Sequence, residues 1–236
     1  MFLDDFHTLE DNCVSISAEQ GSRFAKTISN DFNPIHDSGN KRFCVPGDLL
    51  FALSLSRYGI SQSMSFRFSG MVAGDMRLNF PERASSDNVE ITDARGKSYL
   101  HIERTGQISN NPQLIEALVR NYVLFSGHNF PHILVPLMKE KNVMINPLRP
   151  LIIYEGMSFE LHAFDFELPT LELERSTLDV DGKRGDAKLY FKLTEAGREL
   201  GHGMKTLVLS GFREYEQPVV DQLCEDYLAR QSAYTR

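Results

Sequence analysis

The sequence predicts an α+β protein of two tandem units, each a long buried helix followed by antiparallel strands that curve around it. Three observations carry this reading. The segment 46–60 is apolar all round, a second strong helix start stands at Asn111-Pro112, and each is followed by short apolar stretches separated by turn residues. No Gly/Ser-rich or Pro-rich linker interrupts the chain, so the expected units, 1–106 and 107–236, must pack tightly together.

In the first unit Ser17 is placed to cap a helix over Ala18–Ser29, with Gln20 completing a capping box and Phe24 and Ile28 on one face. The next helix, Pro46–Ile60, starts with proline at its first position and carries Asp48 in its first turn. Leu49, Leu50, Phe51, Ala52, Leu53 and Leu55 surround its axis, as in a helix enclosed by other structure. Strands are expected within Met64–Phe80, at Val89–Ile91 and at Ser98–Thr105, the last after a turn at residues 94–97.

The second unit repeats that order. Leu114, Ile115, Leu118, Val119 and Tyr122 keep helical spacing, and Glu116 can pair with Arg120. A continuation through Phe130–Lys141 should break or kink at Pro131 and Pro136. Strands follow at Leu151–Phe164, Thr170–Asp179, Ala187–Thr194 and Gly201–Phe212, with turns at Asp181-Gly182 and Glu195-Ala196-Gly197. A short amphipathic helix, Val219–Ala229, ends the pattern through Val220, Leu223, Cys224 and Tyr227.

Composition removes several classes of function. Of 236 residues, 42% are hydrophobic and 24% charged, which is ordinary globular usage. No apolar run approaches the ~20 residues of a membrane span, so a transmembrane helix is not expected. A net charge of −7 without a Lys/Arg stripe argues against nucleic acid as a partner. Cys13, Cys44 and Cys224 are too few and too far apart for a disulfide framework or CxxC metal chemistry, and are expected to be buried thiols. The start MFLDDFHTLEDN lacks the basic and apolar regions of a signal peptide, which gives a cytoplasmic expectation.

One stretch carries chemistry: Asp31-Phe32-Asn33-Pro34-Ile35-His36, followed by Cys44-Val45-Pro46-Gly47-Asp48. Pro34 stops the first helix, so the polar residues lie in a stiffened loop. A carboxylate and an imidazole held there can act on one water molecule. The Gly47 amide, at the start of a buried helix, has no intrahelical partner and can accept negative charge from a thioester oxygen. The structural alternatives are a loop-capping Asp31, a hydrogen-bonded His36 and a Gly47 needed only for close packing.

The hexapeptide resembles the hydratase motif of MaoC-like (R)-specific enoyl-CoA hydratases, and Ser17–Ser29 resembles the helix preceding it there. The match covers about residues 15–60. It implies a double hot-dog fold, with Asp31 and His36 as the catalytic pair, Asn33 in support and the Gly47 amide as oxyanion donor. It also implies reversible hydration of a trans-2-enoyl group carried by coenzyme A or acyl carrier protein, with no metal and no other cofactor. Lys41 and Arg42 are then candidates for the coenzyme A phosphates. Two departures stand out. Only ten residues, 37–46, separate His36 from Gly47, and Pro46 and Asp48 flank that glycine. A carboxylate at position 48 opposes an enolate beside it, so Asp48→Met is expected to keep the fold and favour hydration. Thioester hydrolysis through Asp31 and non-catalytic acyl-thioester binding are the alternative functions, and a homodimer is compatible with either. His128 and His132 have i, i+4 metal-ligand spacing, but Pro131 lies between them and no third ligand is evident. His202 reads as a histidine on a sheet face.

Overall fold

The computed structural model describes residues 2–82 and 87–234. A 3-10 turn over Asp4–Phe6 is followed by two short strands, β1 (Thr8–Glu10) and β2 (Cys13–Ser15). Three residues apiece carry too little alternation to be read from sequence. Helix α1 (Ala18–Thr27) starts in the expected capping box: Gln20 N–H donates to Ser17 Oγ at 3.1 Å, and Ser17 N–H donates to Gln20 Oε1 at 2.9 Å. Helix α2 (Gly47–Tyr58) is buried at every position from Asp48 to Leu55. Pro46 is its N-cap, with φ −56° and ψ 130°, rather than its first residue, and Gly59 at φ +78° ends it.

Strands β3 (Ile60–Phe68), β4 (Leu78–Asn79), β5 (Asn88–Asp93) and β6 (Ser98–Ser109) follow. The single stretch expected over Met64–Phe80 is therefore two strands with a loop between them. That loop is held by other partners: Val45 N–H donates to Val72 O, and Asp75 N–H donates to Ile16 O, each at 2.8 Å. Helix α3 (Pro112–Gly127) starts as expected, with Asn111 Oδ1 accepting from Gln113 N–H and Arg120 paired to Glu116 at 2.7 Å.

Beyond it, α4 (Asn129–His132) and α5 (Leu134–Glu140) divide the expected continuation. Phe130 takes the extended angles that a following proline imposes. Pro136 breaks nothing, because it falls in the first turn of α5, where its missing N–H has no intrahelical role. Strands β7 (Val143–Met144), β8 (Leu151–Leu161), β9 (Thr170–Asp181), β10 (Arg184–Glu195), β11 (Arg198–Ser210) and β12 (Arg213–Glu214) complete the sheets. The β10–β11 hairpin turns on Ala196 and Gly197, both at positive φ, as a type I′ turn requires. Helix α6 (Gln217–Tyr234) is longer at both ends than expected.

Among the described residues, ten strands form one antiparallel sheet in the order β1-β2-β4-β5-β6-β3-β8-β11-β10-β9. Reading outward from the β3–β8 junction, one side runs β3-β6-β5-β4 and the other β8-β11-β10-β9, each set first strand, last strand, then the middle two, with β2 and β1 added beyond β4. This is one hot-dog topology repeated, α2 enclosed by the first half and α3 by the second. Along β10 the buried residues alternate, Ala187, Leu189, Phe191 and Leu193, so one face lies on the core. The two helices meet inside. Phe66, Phe51, Tyr122 and Phe191 form a chain of ring contacts with centroids 4.7–5.8 Å apart, running from one half of the sheet through both helices to the other. The fold is thus a double hot-dog with a shared core.

Because Phe51 stands at the middle of that chain, Phe51→Ala is expected to cost about 3–5 kcal/mol. Ser17→Ala, which removes only the capping box, is expected to cost about 1 kcal/mol. Urea denaturation of the two variants checks the order; equal losses would contradict the central place of Phe51 in the core.

Candidate active site

The loop after α1 is shaped by its own polar side chains. Asp31 N–H donates back to Ala25 O at 2.8 Å. Its Oδ1 accepts from Asn33 N–H at 2.8 Å, and Asn33 Oδ1 accepts from Ile35 N–H at 3.2 Å, capping a 3-10 turn over Pro34–His36. Asn33 thus supports Asp31 through its backbone. His36 Nδ1 lies 2.7 Å from Cys44 O; a carbonyl only accepts, so that nitrogen carries the proton and Nε2 is left with a free lone pair in the neutral ring. Nε2 stands 3.7 Å from Asp31 Oδ2. That gap is too long for a direct hydrogen bond, and it lets one small polar molecule contact both.

Both groups open onto a cavity of about 710 Å³ between the two halves, which is also lined by Gly47 and Asp48 at the start of α2. The Gly47 position admits no side chain, since a Cβ there would come within 2.8 Å of the Tyr154 ring. Lys41 and Arg42 do not line the cavity; Arg184 and Arg230 are its exposed basic groups, and Arg184 is already paired with Asp186 at 2.7 Å. Helix α6 forms part of the wall. Tyr227 OH accepts from Phe32 N–H and donates to Gly127 O, each at 3.2 Å, which ties α6 to the loop and to the end of α3.

The second half adds residues that the motif does not contain. Asp48 is 6% exposed, and its Oδ2 accepts from Ser126 Oγ at 2.6 Å. Lys205, 3% exposed, donates from Nζ to Ser126 Oγ and lies 4.2 Å from the centre of the Tyr154 ring. Burial pushes the Asp48 carboxyl up, opposed mainly by the Lys205 charge, and pushes the Lys205 ammonium down, opposed by Asp48. Tyr122 and Tyr154, hydroxyl to hydroxyl beside them, are held well above the usual phenol range, first by burial.

Asp48 is therefore not a lone charge beside Gly47, and the expected tolerance of Asp48→Met is revised. That substitution would leave a buried ammonium without its counter-charge. Two local features mark this cluster in the sequence. Ser126 continues the buried stripe Leu118–Tyr122 by one helical turn, and Lys205 shares the inward register of Leu207 and Leu209 on β11.

The other candidates lie elsewhere. His128 and His132 meet edge to face with ring centres 6.2 Å apart, and His128 Nε2 is 2.9 Å from Asn30 Nδ2. His202 is exposed on β11, 3.8 Å from Glu160 and near His162 and Glu199. The three cysteines are partly exposed rather than buried, although burial raises the Cys44 thiol to about 11.

The fold and cavity define a double hot-dog protein with a polar site at the junction of its two units. A family model described as a protein of unknown function, DUF3581, matches residues 1–218, and the chain belongs to that family. No curated protein matches it. Among solved structures, a conserved hot-dog protein of unknown function from Alicyclobacillus acidocaldarius is 8% identical, with 89% of this chain and 98% of that one covered and a TM-score of 0.47. A MaoC-like dehydratase is 10% identical, with coverage of 87% and 98% and a TM-score of 0.44. The acyl-CoA thioesterase II TesB2 from Mycobacterium marinum is 10% identical, with coverage of 92% and 100% and a TM-score of 0.42.

Removing one member of the buried pair should cost more than removing both. Lys205→Met is expected to lower stability by about 3–5 kcal/mol, and Asp48→Leu combined with Lys205→Met to change it little. Urea denaturation of wild type, single and double variants reads this directly; a double variant as unstable as the single one would contradict the assigned pairing.

Proposed function

We propose that the protein hydrates a trans-2-enoyl thioester reversibly, the acyl group being carried by coenzyme A or acyl carrier protein. The observation that carries this reading is the 3.7 Å separation of Asp31 Oδ2 and His36 Nε2 on a cavity that also contains the start of α2. A water molecule between the two groups would lose a proton as its oxygen bonds to the β-carbon. The electron pair of the double bond moves toward the thioester oxygen, which the Gly47 amide at the positive end of α2 would receive. Return of the proton to the α-carbon completes the addition of one water.

Lys205 bears on this chemistry through charge. An unbalanced carboxylate at position 48 would oppose the developing enolate, whereas Lys205 compensates it within the same cluster. Apolar walls, including Leu50, Ile152 and Leu207, suit an acyl chain, and Arg230 is the exposed cation nearest in kind to a phosphate-binding group.

Purified protein given crotonyl- to dodecenoyl-CoA, and separately saturated acyl-CoAs, should hydrate the former and leave the latter intact. Asp31→Asn and His36→Ala should each lower turnover by ~100-fold or more without altering the circular dichroism spectrum. Hydrolysis of the saturated esters would replace hydration with a thioesterase activity, and binding without turnover would make the protein an acyl-thioester receptor.

A further inference from the structure

We infer that His162, Glu199 and His202 hold a divalent transition-metal ion of the zinc class on the outer face of the sheet. The inference is independent of the thioester reading, because none of the three lines the cavity. One ligand-capable atom from each lies within 4.8 Å of the others, and the two imidazole rings have centres 6.0 Å apart.

The backbone brings these side chains together, and simple spacing does not. In a regular strand Glu199 and His202, three residues apart, would point to opposite faces. Here the β10–β11 register steps from Thr194–Glu199 to Leu193–Gly201, which leaves Leu200 as an extra residue in β11. Leu200 is buried, whereas Glu199 and His202 both face outward, opposite Thr194 and Lys192. Strand β8 supplies the rest of the site. Glu160 stands directly opposite His202, and His162, two residues further along, is exposed like Glu160. His162 N–H donates to Leu200 O at 2.8 Å, so the bulge itself fixes the start of the β8–β9 connection. A Cβ at Gly201 would collide with Glu160 O, so glycine is what lets the two strands come this close.

Donor chemistry decides what fits. Two imidazoles and a carboxylate are ligand types of zinc and its neighbours, while calcium and magnesium take sets of oxygens. An anion would meet the charges of Glu199 and Glu160. Glu160 lies 3.8 Å from His202 Nε2, where its charge favours a bound cation. The adjoining basic side chains are committed elsewhere: Lys192 pairs with Glu172 at 3.2 Å and Arg198 with Asp165 at 2.8 Å. Tetrahedral zinc sets its donors about 3.3 Å apart, so these exposed side chains have about 1.5 Å or less to close by rotation. Three protein ligands leave one position for water. The ion would join β11 to the first residue after β8 and hold the open end of the β10–β11 hairpin.

Calorimetric titration of the full chain, free of any histidine tag, with zinc chloride should show one equivalent bound, with no response to magnesium chloride at the same concentration. Because the ion binds the folded chain, zinc should also raise the midpoint of thermal unfolding. His202→Ala and Glu199→Gln should each weaken zinc binding at least ~10-fold and remove that shift. His128→Ala, which alters the other histidine pair, should keep both. The shift is read within each variant, with and without zinc, so a change in the metal-free midpoint does not obscure it. Absence of zinc binding by wild type, an equal response to magnesium, or binding unaltered in His202→Ala would overturn the inference, as would its loss in His128→Ala.

Discussion

A carboxylate at the start of an enclosed helix has to be compensated, and the way Asp48 is compensated constrains both units. Its partners come from the other half of the chain, Ser126 near the end of α3 and Lys205 on β11. Lys205 reaches the cluster only if β11 keeps its register, because a slip of one residue would turn the ammonium to the outer face and carry Thr206 inward. The same interaction sets how α2 and α3 lie: the beginning of one is bonded to the end of the other, so the two helices run antiparallel at the centre of the sheet. Their dipoles favour the arrangement. The carboxylate stands at a helix N-terminus and the ammonium close to a helix C-terminus, each at the end that stabilises its charge.

The repeated topology makes the asymmetry of the site informative. In the first unit a loop of polar residues separates α1 from the enclosed helix, whereas in the second Asn111-Pro112 starts α3 directly after β6. Only one of two topologically equivalent positions therefore has a loop long enough to hold a pair such as Asp31 and His36. The second unit contributes the buried cation, the serine and the tyrosines instead. The cavity is a product of both units, with the Asp31–His36 pair drawn from one and the buried cation from the other.

This division also explains what could be read in advance. Helices α1, α2 and α3 were legible because capping residues and apolar spacing are local, and the strands of the second half because alternation and turn glycines are local too. The Asp31–His36 loop was legible for the same reason, all its determinants lying within six residues. The Asp48–Ser126–Lys205 chain joins residues 78 and 79 positions apart in successive steps. Asp48 stood out in the sequence as a departure beside Gly47, whereas Ser126 and Lys205 are single polar residues in apolar patterns, and only the closure of the sheet brings the three together. Lys41 and Arg42 were chosen by proximity in sequence to the motif, which does not determine the side of the loop on which the cavity opens.

The separation of Asp31 and His36 depends on three anchors, one from each structure that surrounds the loop. Asp31 is held by α1 through Ala25 O, and His36 by the strand-like segment before α2 through Cys44 O. Between them, Phe32 is fixed from outside: its N–H bonds to Tyr227, and its ring packs edge-on against Tyr227 and Tyr234 of α6. Proline at 34 removes much of the freedom that remains. A pair held 3.7 Å apart on a loop would lose its geometry to small backbone movements, and anchoring both ends and the middle restricts them. Helix α6, although it contributes neither member of the pair, is thereby part of what keeps the pair in place. Most of it lies beyond the residues that the family model covers, so the last support of the site comes from outside the matched region.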